Sequence, residues 1–247
     1  MHPIGHNLSP LRLAAEQSFP QVPIRGLTIF APVTEEALVQ VLDGESGILV
    51  AINAEKIAQA DPTLQRLTAA QVGYPDGIGA VLSMRRKGVL ASRIPGADLW
   101  LAIVDRYADR RSFFLVGSTD QVVETVAGRL RLRHPGIKLW FRNGFLTIED
   151  EVDLARDLHD RHPDFVFVAM GSPRQEVLIE RLYAQHPALY VGLGGSFDVY
   201  AGRQPRAPRW MQRLGLEWAF RLLRQPSRLG RLPRYLRFMG SLASGRL

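Results

Sequence analysis

Three short segments of the chain place polar or acidic residues among glycines, in patterns typical of a ligand pocket. The first is YPDGIG, residues 74–79, in which Asp76 follows a proline and precedes Gly77 and Gly79. A turn of this composition can present a carboxylate to a cleft. The alternative interpretation is an aspartate that caps a turn or a helix N-terminus. The segment therefore supplies a candidate catalytic acid or base, with a structural role as the competing hypothesis.

The second segment is GSPRQE, residues 171–176, which lies between the apolar run DFVFVAM and the helix-like VLIERLYAQH. Small residues such as Gly171 and Ser172 let the backbone approach a ligand closely. The free amides at a helix start favour anionic groups such as phosphates. A proline at this position suits the first turn of a helix. The segment predicts contact with a phosphorylated molecule.

The third segment is GLGGSFD, residues 192–198, which has the glycine density of a phosphate loop but matches no dinucleotide or P-loop fingerprint. Asp198 can accept hydrogen bonds from ribose hydroxyls or simply cap a turn, and both interpretations stay open. A nicotinamide-dependent oxidoreductase would use this loop as its dinucleotide site. Such a fingerprint usually lies in the first βα unit, however, whereas this loop follows the last predicted strand.

Short apolar runs that alternate with longer amphipathic stretches must position these segments. The predicted strands are LTIFAP (27–32), GILVAIN (47–53), SFFLVGS (112–118), KLWFRNG (138–144), DFVFVAMG (164–171) and LYVGLGG (189–195). This alternation predicts an α/β fold with a mostly parallel, Rossmann-like sheet flanked by helices. Ligands gather at the carboxyl ends of strands in such sheets. The three candidate segments should therefore meet at one edge.

Composition excludes several classes of function. The 247 residues include 46% apolar residues, 22% charged residues and no cysteine. Disulfide scaffolds, zinc–thiolate sites and thiol catalysis are therefore ruled out. His159 and His162 lie in a charged helix-like stretch without further ligands, and the acidic EDEVD (149–153) matches a helix start, so no metal site is expected. With no signal peptide and no apolar run of about 18 residues, a soluble or externally attached protein is expected.

The chain divides into a mildly acidic body and a strongly basic tail. From residue 203 onward there are eleven arginines and one acid, a charge of +10, so the whole-chain charge of +7 leaves −3 on residues 1–202. Aromatic and aliphatic residues between the arginines predict short amphipathic helices that suit an anionic membrane surface. The alternative is a helix pair packed on the core with solvated arginines. A nucleic-acid arm is not expected, since the chain shows no nucleic-acid-binding motif.

An ordered set of motifs resembles a known family. The motifs are INAEKI, DGIG, GADL, FFLVGS, HPGIK, GSPRQE, GGSFDVYAG, RAPRW, LEWAFRL and QPSR, within a resemblance that runs over residues 27–238. They are similar to those of the WecG/TagA/CpsF glycosyltransferases, also called glycosyltransferase family 26. The resemblance implies transfer of a sugar from a UDP-sugar to a polyprenyl-diphosphate-linked monosaccharide on the cytoplasmic face of the membrane. It also implies inversion of configuration, no required metal and no cofactor.

The resemblance further implies roles for individual residues. Asp76 matches the family's proposed general base, and Ala51 departs from the family threonine, so one hydrogen bond to the sugar is lost. The implied substrate-binding residues are Asn53, Gly77, Gly79, Gly171, Ser172, Gln175, Glu176, Gly194, Gly195 and Asp198. The arginines implied to hold the acceptor diphosphate are Arg206, Arg221, Arg224, Arg228 and Arg231.

These expectations define a domain plan and leave specificity open. Residues 1–202 are expected to form the catalytic domain, and residues 203–247 an arginine-rich appendage that contacts the membrane and the acceptor diphosphate. The donor sugar can be glucose, an N-acetylhexosamine or a uronate. The acceptor sugar, the linkage and the oligomeric state, including a homo-oligomer, stay open. The competing function classes are a non-catalytic basic membrane or nucleic-acid adaptor and the nicotinamide-dependent oxidoreductase.

Overall fold

The computed structural model describes residues 8–224, 230 and 232–245, and it contains one twisted sheet. The strands in this described part are β1 (Gln21–Ile24), β2 (Leu27–Phe30), β3 (Gly47–Ile52), β4 (Val72–Pro75), β5 (Ser112–Gly117), β6 (Lys138–Arg142), β7 (Phe165–Ala169) and β8 (Leu189–Gly192). Their order across the sheet is β1-β2-β4-β3-β8-β7-β5-β6. Only β1 pairs antiparallel, and the other pairs are parallel. The predicted α/β class is confirmed.

Helices cover both faces of this sheet. Within the described residues they are α1 (Pro10–Ser18), α2 (Glu35–Val41), α3 (Ala54–Gln59), α4 (Pro62–Ala70), α5 (Ile78–Arg86), α6 (Gly96–Tyr107), α7 (Asp120–Arg133), α8 (Ile148–Arg161), α9 (Arg174–Gln185), α10 (Ser196–Tyr200), α11 (Arg209–Arg213), α12 (Glu217–Arg224) and α13 (Leu232–Ser244). One apolar core contains residues of α1, α2, α6, α7 and α10. The other core contains residues of α3, α4, α5, α8, α9 and α13.

The central strands are continuous apolar runs because both of their faces are covered. SFFLVG in β5 and FVFVA in β7 are buried at every position. Such runs are typical of parallel strands sandwiched between helices, whereas half-exposed strands alternate between apolar and polar residues. This burial explains why the strands were identifiable from the sequence.

Two strands and one helix break were not predicted. The strand β1 contains Pro23 and lies at the sheet edge, where a missing N–H is tolerated. The strand β4 is only four residues long and contains Gly73. The amphipathic stretch after the second predicted strand, residues 54–71, forms two helices rather than one, because Ala60 adopts a left-handed conformation with φ of 36° and the Asp61 side chain caps α4.

A crevice opens between the neighbouring strands β3 and β8. The helix that follows β3 packs on one face of the sheet, where Ile57 is buried. The helix that follows β8 packs on the opposite face, where Phe197 is buried. Parallel sheets bind ligands where consecutive connections leave on opposite faces, because the loops diverge there. The fold therefore provides a ligand crevice at the carboxyl ends of β3 and β8.

The described part of the basic tail contains the helices α11, α12 and α13, as predicted, and α12 and α13 pack over this crevice. Phe238 in α13 is only 2% exposed and joins the core on the α3 side. A Cβ atom at Gly79 would lie 3.1 Å from the Phe238 ring and 2.7 Å from the Ala54 side chain. Gly79 therefore lets α5, α3 and α13 approach closely. Arg234 adds an ion pair with Glu55 at 2.7 Å.

Candidate active site

A cavity of about 870 Å³ occupies the crevice. Loops after β3, β4, β7 and β8 form its floor and walls, and α12 and α13 form its roof. The predicted site residues that line it are Asn53, Asp76, Gly77, Gly79, Gly171, Ser172, Gln175, Glu176, Gly194, Gly195 and Arg221. Segments up to about 170 residues apart in sequence thus meet in one space, since parallel strands end at the same edge.

Asp76 follows directly on β4 and is held by its surroundings. Its backbone N–H donates to the carbonyl of Ile52 at 3.0 Å, and its Oδ1 accepts a hydrogen bond from the Gly96 backbone N–H at 2.6 Å. Burial raises the pKa of the Asp76 carboxyl above its usual value, and the Gly96 N–H, Arg221 and Lys56 only partly oppose that shift. A carboxylate with a raised pKa is a stronger proton acceptor.

Asn53 begins α3 beside Asp76. Its Oδ1 accepts a hydrogen bond from the Lys56 N–H at 3.1 Å, which caps the helix. A Cβ atom at Gly77 would lie 3.2 Å from the Asn53 Cβ, so the loops after β3 and β4 are nearly in contact. Ala51 also lines the cavity and contributes only a methyl group at the position where the family has threonine.

Gln175 links the two glycine loops that follow β7 and β8. Its Oε1 accepts hydrogen bonds from the N–H groups of Gly171 at 3.2 Å and Gly194 at 2.9 Å. Its side-chain amide donates to Glu176 at 3.2 Å. A Cβ atom at Gly192 would lie 2.6 Å from the same amide, so a side chain at position 192 would displace it. The Gln175 carbonyl therefore fixes the relative position of the loops.

A buried ion pair joins the first and last parts of the cavity wall. Lys56 Nζ lies 2.8 Å from Glu176 Oε1, and both side chains are 10% exposed. Burial alone would raise the pKa of Glu176, but the nearby Lys56 ammonium, together with hydrogen bonds from Ser172 and from the Glu176 backbone, lowers that pKa below its usual value. Glu176 is therefore a stable carboxylate in the cavity. Lys56 was not predicted, since its place within a short helix resembles a solvated surface position.

Arg221 is the arginine of the predicted acceptor set that reaches the cavity. Its guanidinium has no hydrogen bond or ion pair with any other residue in the described part of the chain. Its charge lowers the pKa of Asp76. Two further arginines line the cavity although they were not predicted. Arg93 is ion-paired with Glu217 at 2.9 Å, and Arg234 is ion-paired with Glu55.

Two other predicted arginines, Arg206 and Arg224, lie outside the cavity. Arg206 forms a bidentate pair with Asp98, with N–O distances of 2.6 and 2.5 Å, and it does not line the cavity. Arg224 lies over the Phe220 ring at 5.6 Å and also stands outside the cavity. Arg228 and Arg231 lie outside the described residues. Arg93 could have been recognised as a cavity residue from the sequence, because it lies just before the helix start at Pro95 and Gly96.

Asp198 lies next to the cavity rather than in its wall. Its Oδ1 accepts a hydrogen bond from the hydroxyl of Ser118, at 3.1 Å, at the carboxyl end of β5. Its backbone carbonyl accepts from the N–H groups of Arg203 and Gln204 at 2.8 and 3.1 Å. Asp198 therefore lies at the same sheet edge, beside the end of β5, which is the strand next to β7. There it stabilises the chain where the appendage begins.

The outer surface of the appendage is apolar as well as basic. Trp218 and Tyr235 stack with ring centroids 4.8 Å apart over the cavity. Large apolar side chains that are mostly exposed are Trp210, Leu214, Leu223, Leu236 and Met239. Arginines separate them along α11, α12 and α13. No helix in the described residues is long and apolar enough to cross a membrane.

The acidic segment EDEVD and the two histidines His159 and His162 lie at opposite ends of α8. EDEVD lies at the start of α8, where Thr147 and Asp150 form a reciprocal capping box, which confirms the helix-start interpretation. His159 and His162 are exposed, with ring centroids 5.5 Å apart. The structure as described contains no group of three or more His, Asp or Glu side chains placed to hold a metal ion.

Fold and site together define a class of protein. A mostly parallel α/β sheet with glycine loops, a half-buried carboxylate and cationic side chains at its carboxyl edge is typical of enzymes that bind phosphorylated, nucleotide-linked substrates. The model of the glycosyl transferase WecG/TagA/CpsF family matches residues 19–247. The chain belongs to this family of glycosyltransferases, as its motifs predicted, which supports a role in cell-surface glycan synthesis.

Proposed function

We propose that the protein is an inverting, metal-independent hexosyltransferase. It moves a sugar from a UDP-sugar to a polyprenyl-diphosphate-linked monosaccharide in exopolysaccharide or related glycan assembly. Residues 1–202 form the catalytic domain, and residues 203–247 form an appendage that rests on the anionic cytoplasmic face of the cell membrane and contacts the acceptor.

The observation that carries this proposal is the pairing of opposite charges in the cavity. Asp76, a half-buried carboxylate with a raised pKa, lines the same cavity as Arg221, an exposed guanidinium with no hydrogen bond or ion pair to the other described residues. A proton acceptor and a cation that is available to a ligand suit a reaction that removes a proton from one substrate and develops negative charge on another. A bound substrate that covers Arg221 would strengthen its attraction to that charge, because the local dielectric falls when water is displaced.

The chemistry follows from this arrangement. The acceptor hydroxyl attacks the anomeric carbon from the side opposite UDP, so its oxygen forms the new C–O bond with inversion. Asp76 takes the hydroxyl proton as attack proceeds. The bond to UDP breaks through a transition state that resembles an oxocarbenium ion, and its electron pair leaves with the diphosphate. Arg221 and Arg93 are the cavity-lining groups that can offset that charge.

The apolar and basic appendage supports the membrane part of the proposal. Its exposed Leu223 and Leu236 lie among arginines, so apolar burial and attraction to lipid phosphates act at the same surface. The roof of the cavity is made by the same helices. A lipid-linked acceptor held at the bilayer surface would therefore reach the cavity beside this surface.

The test is a UDP-release assay on purified protein with a panel of UDP-sugars and a short-chain lipid-diphosphate monosaccharide. Acceptor-dependent release from one donor, unchanged by a chelator, would support the proposal and name the donor. Release that a chelator abolishes would contradict the metal-independent mechanism. Calorimetry with UDP and NAD separates the competing classes: NAD binding favours an oxidoreductase, and binding of neither favours an adaptor.

A further inference from the structure

Tyr74 carries a buried hydroxyl that the described residues leave without a hydrogen-bond partner. The side chain is fully buried in the core on the α6 side of the sheet. Unpaired hydroxyls are uncommon in protein interiors, because burial removes their bonds to water. Phenylalanine would fill the same space without this cost. The hydroxyl therefore calls for an explanation.

The position of Gly96 shows what lies beside this hydroxyl. A Cβ atom at Gly96 would be 2.9 Å from Tyr74 Oη and 3.5 Å from Asp76 Oδ1. The two oxygens therefore lie no farther apart than the sum of these distances. A separation in this range can be closed by side-chain movement or bridged by one water molecule. Of the charged groups that act on Tyr74, Asp76, the proposed catalytic carboxylate, has the larger effect.

The charges around Tyr74 fix its role as a donor. Burial raises the pKa of the phenol well above its usual value, and the carboxylates of Asp76 and Glu35 raise it further. Tyr74 therefore keeps its proton at neutral pH. Glu35 begins α2, and burial, Asp98 and Glu36 raise its own pKa.

We propose that Tyr74 is a positioning residue for Asp76. Its hydroxyl donates a hydrogen bond, directly or through one water, to the Asp76 carboxylate, as the Gly96 N–H does. Two donors on one carboxylate fix its orientation and favour its charged form, which is the form that accepts a proton. The effect of Tyr74 on catalysis rests on the proposed function. The hydrogen bond between Tyr74 and Asp76 does not, because it can be measured without any reaction.

Other charged groups also face Asp76 and must stay constant in a test. Lys56 from α3 and Arg221 from α12 lower its pKa, and Glu217 from α12 raises it. Glu217 is itself paired with Arg93 at 2.9 Å. A substitution at Tyr74 changes none of these groups, so a change in the Asp76 pKa can be assigned to the hydroxyl.

The experiment compares Tyr74→Phe with Tyr107→Phe as a matched control. Tyr107 belongs to the same core, but its hydroxyl donates to the Val39 carbonyl at 2.7 Å. The Asp76 pKa is read by NMR titration of protein labelled with ¹³C at aspartate carboxyls, and Asp76→Asn identifies the signal. Tyr74→Phe should raise that pKa by about one unit, since a hydrogen bond to a charged group is typically worth that much. Tyr107→Phe should leave it unchanged.

Equal Asp76 pKa values in both tyrosine variants would overturn the inference. If Tyr74→Phe does not fold, Tyr74→Met takes its place in the same titration, because it also removes the hydroxyl, fills the space with a flexible apolar side chain and leaves the Gly96 N–H bond to Asp76 in place. The pH profile of UDP release provides the catalytic test, in which the acid limb should move to higher pH in Tyr74→Phe. If the wild-type protein releases no UDP, the proposed function is contradicted. The NMR titration still shows in that case whether Tyr74 donates a hydrogen bond to Asp76.

Discussion

The Oδ1 atom of Asp76 lies 2.6 Å from the backbone nitrogen of Gly96. This contact joins the end of β4 to the start of α6, two segments that are separated by α5. It orients the carboxylate within the cavity, while burial raises its pKa. A base that is fixed in place and partly desolvated needs little rearrangement to take a proton.

Replacing Asp76 with asparagine tests the base directly. Asparagine keeps the shape and can still accept from the Gly96 N–H, but it cannot take a proton. We expect turnover to fall by about 100-fold or more, the typical contribution of a general base, with UDP binding largely unchanged. Steady-state UDP release and calorimetry with UDP measure the two quantities. Near-wild-type turnover would remove Asp76 from the catalytic role.

The raised pKa of Asp76 also predicts a pH effect on stability. Between the unfolded value near 3.8 and the raised folded value, the folded state holds more protons, so stability falls as pH rises through that interval. Asp76→Asn lacks this loss and should have a higher Tm than wild type at pH 7, and the difference should disappear below pH ~4. Thermal melts across pH measure it. A variant that is less stable at pH 7 contradicts the desolvation argument.

The sequence identified residues that line the cavity better than the surroundings that tune them. Asp76 and the glycines were identifiable because turn residues at strand ends have a local pattern, and Asn53 was identified from the resemblance to the family. Lys56 and Arg93 were not, since their roles depend on which distant segments the sheet brings together. The strand β4 was missed for a related reason, because its four residues gain their conformation from neighbours in the sheet rather than from intrinsic preference.

Gln175→Leu tests whether this side chain sets the distance between the glycine loops. The variant leaves the N–H groups of Gly171 and Gly194 without their acceptor, so both loops should lose their alignment. We expect the Kd for UDP to rise by about tenfold, equivalent to one lost hydrogen bond. Gln185→Leu is the control, because that exposed amide bonds only within its own helix. Equal Kd values in the two variants would refute the role.

Arg221 and Arg206 should behave differently although both were predicted to hold the acceptor diphosphate. Arg206 forms a bidentate pair with Asp98, so Arg206→Ala should lower Tm and loosen the appendage. Arg221 has no described partner, so Arg221→Ala should leave Tm within about 1 °C while turnover with the lipid acceptor falls by tenfold or more. Melting curves and UDP release separate these effects. The reverse pattern would assign Arg206 to substrate instead.

The membrane surface of the appendage can be tested without unfolding it. A truncation at residue 203 would also expose the core around Phe238, so its result would mix two causes.

Leu223 is 80% exposed and Leu236 is 63% exposed, so Leu223→Ser/Leu236→Ser should fold normally. We expect a severalfold loss of binding to anionic vesicles in flotation, because each leucine buries apolar area in the bilayer. Leu132→Ser is the control, since that residue is equally exposed on α7. Unchanged flotation of the double variant would mean that the appendage does not bind membranes through this surface.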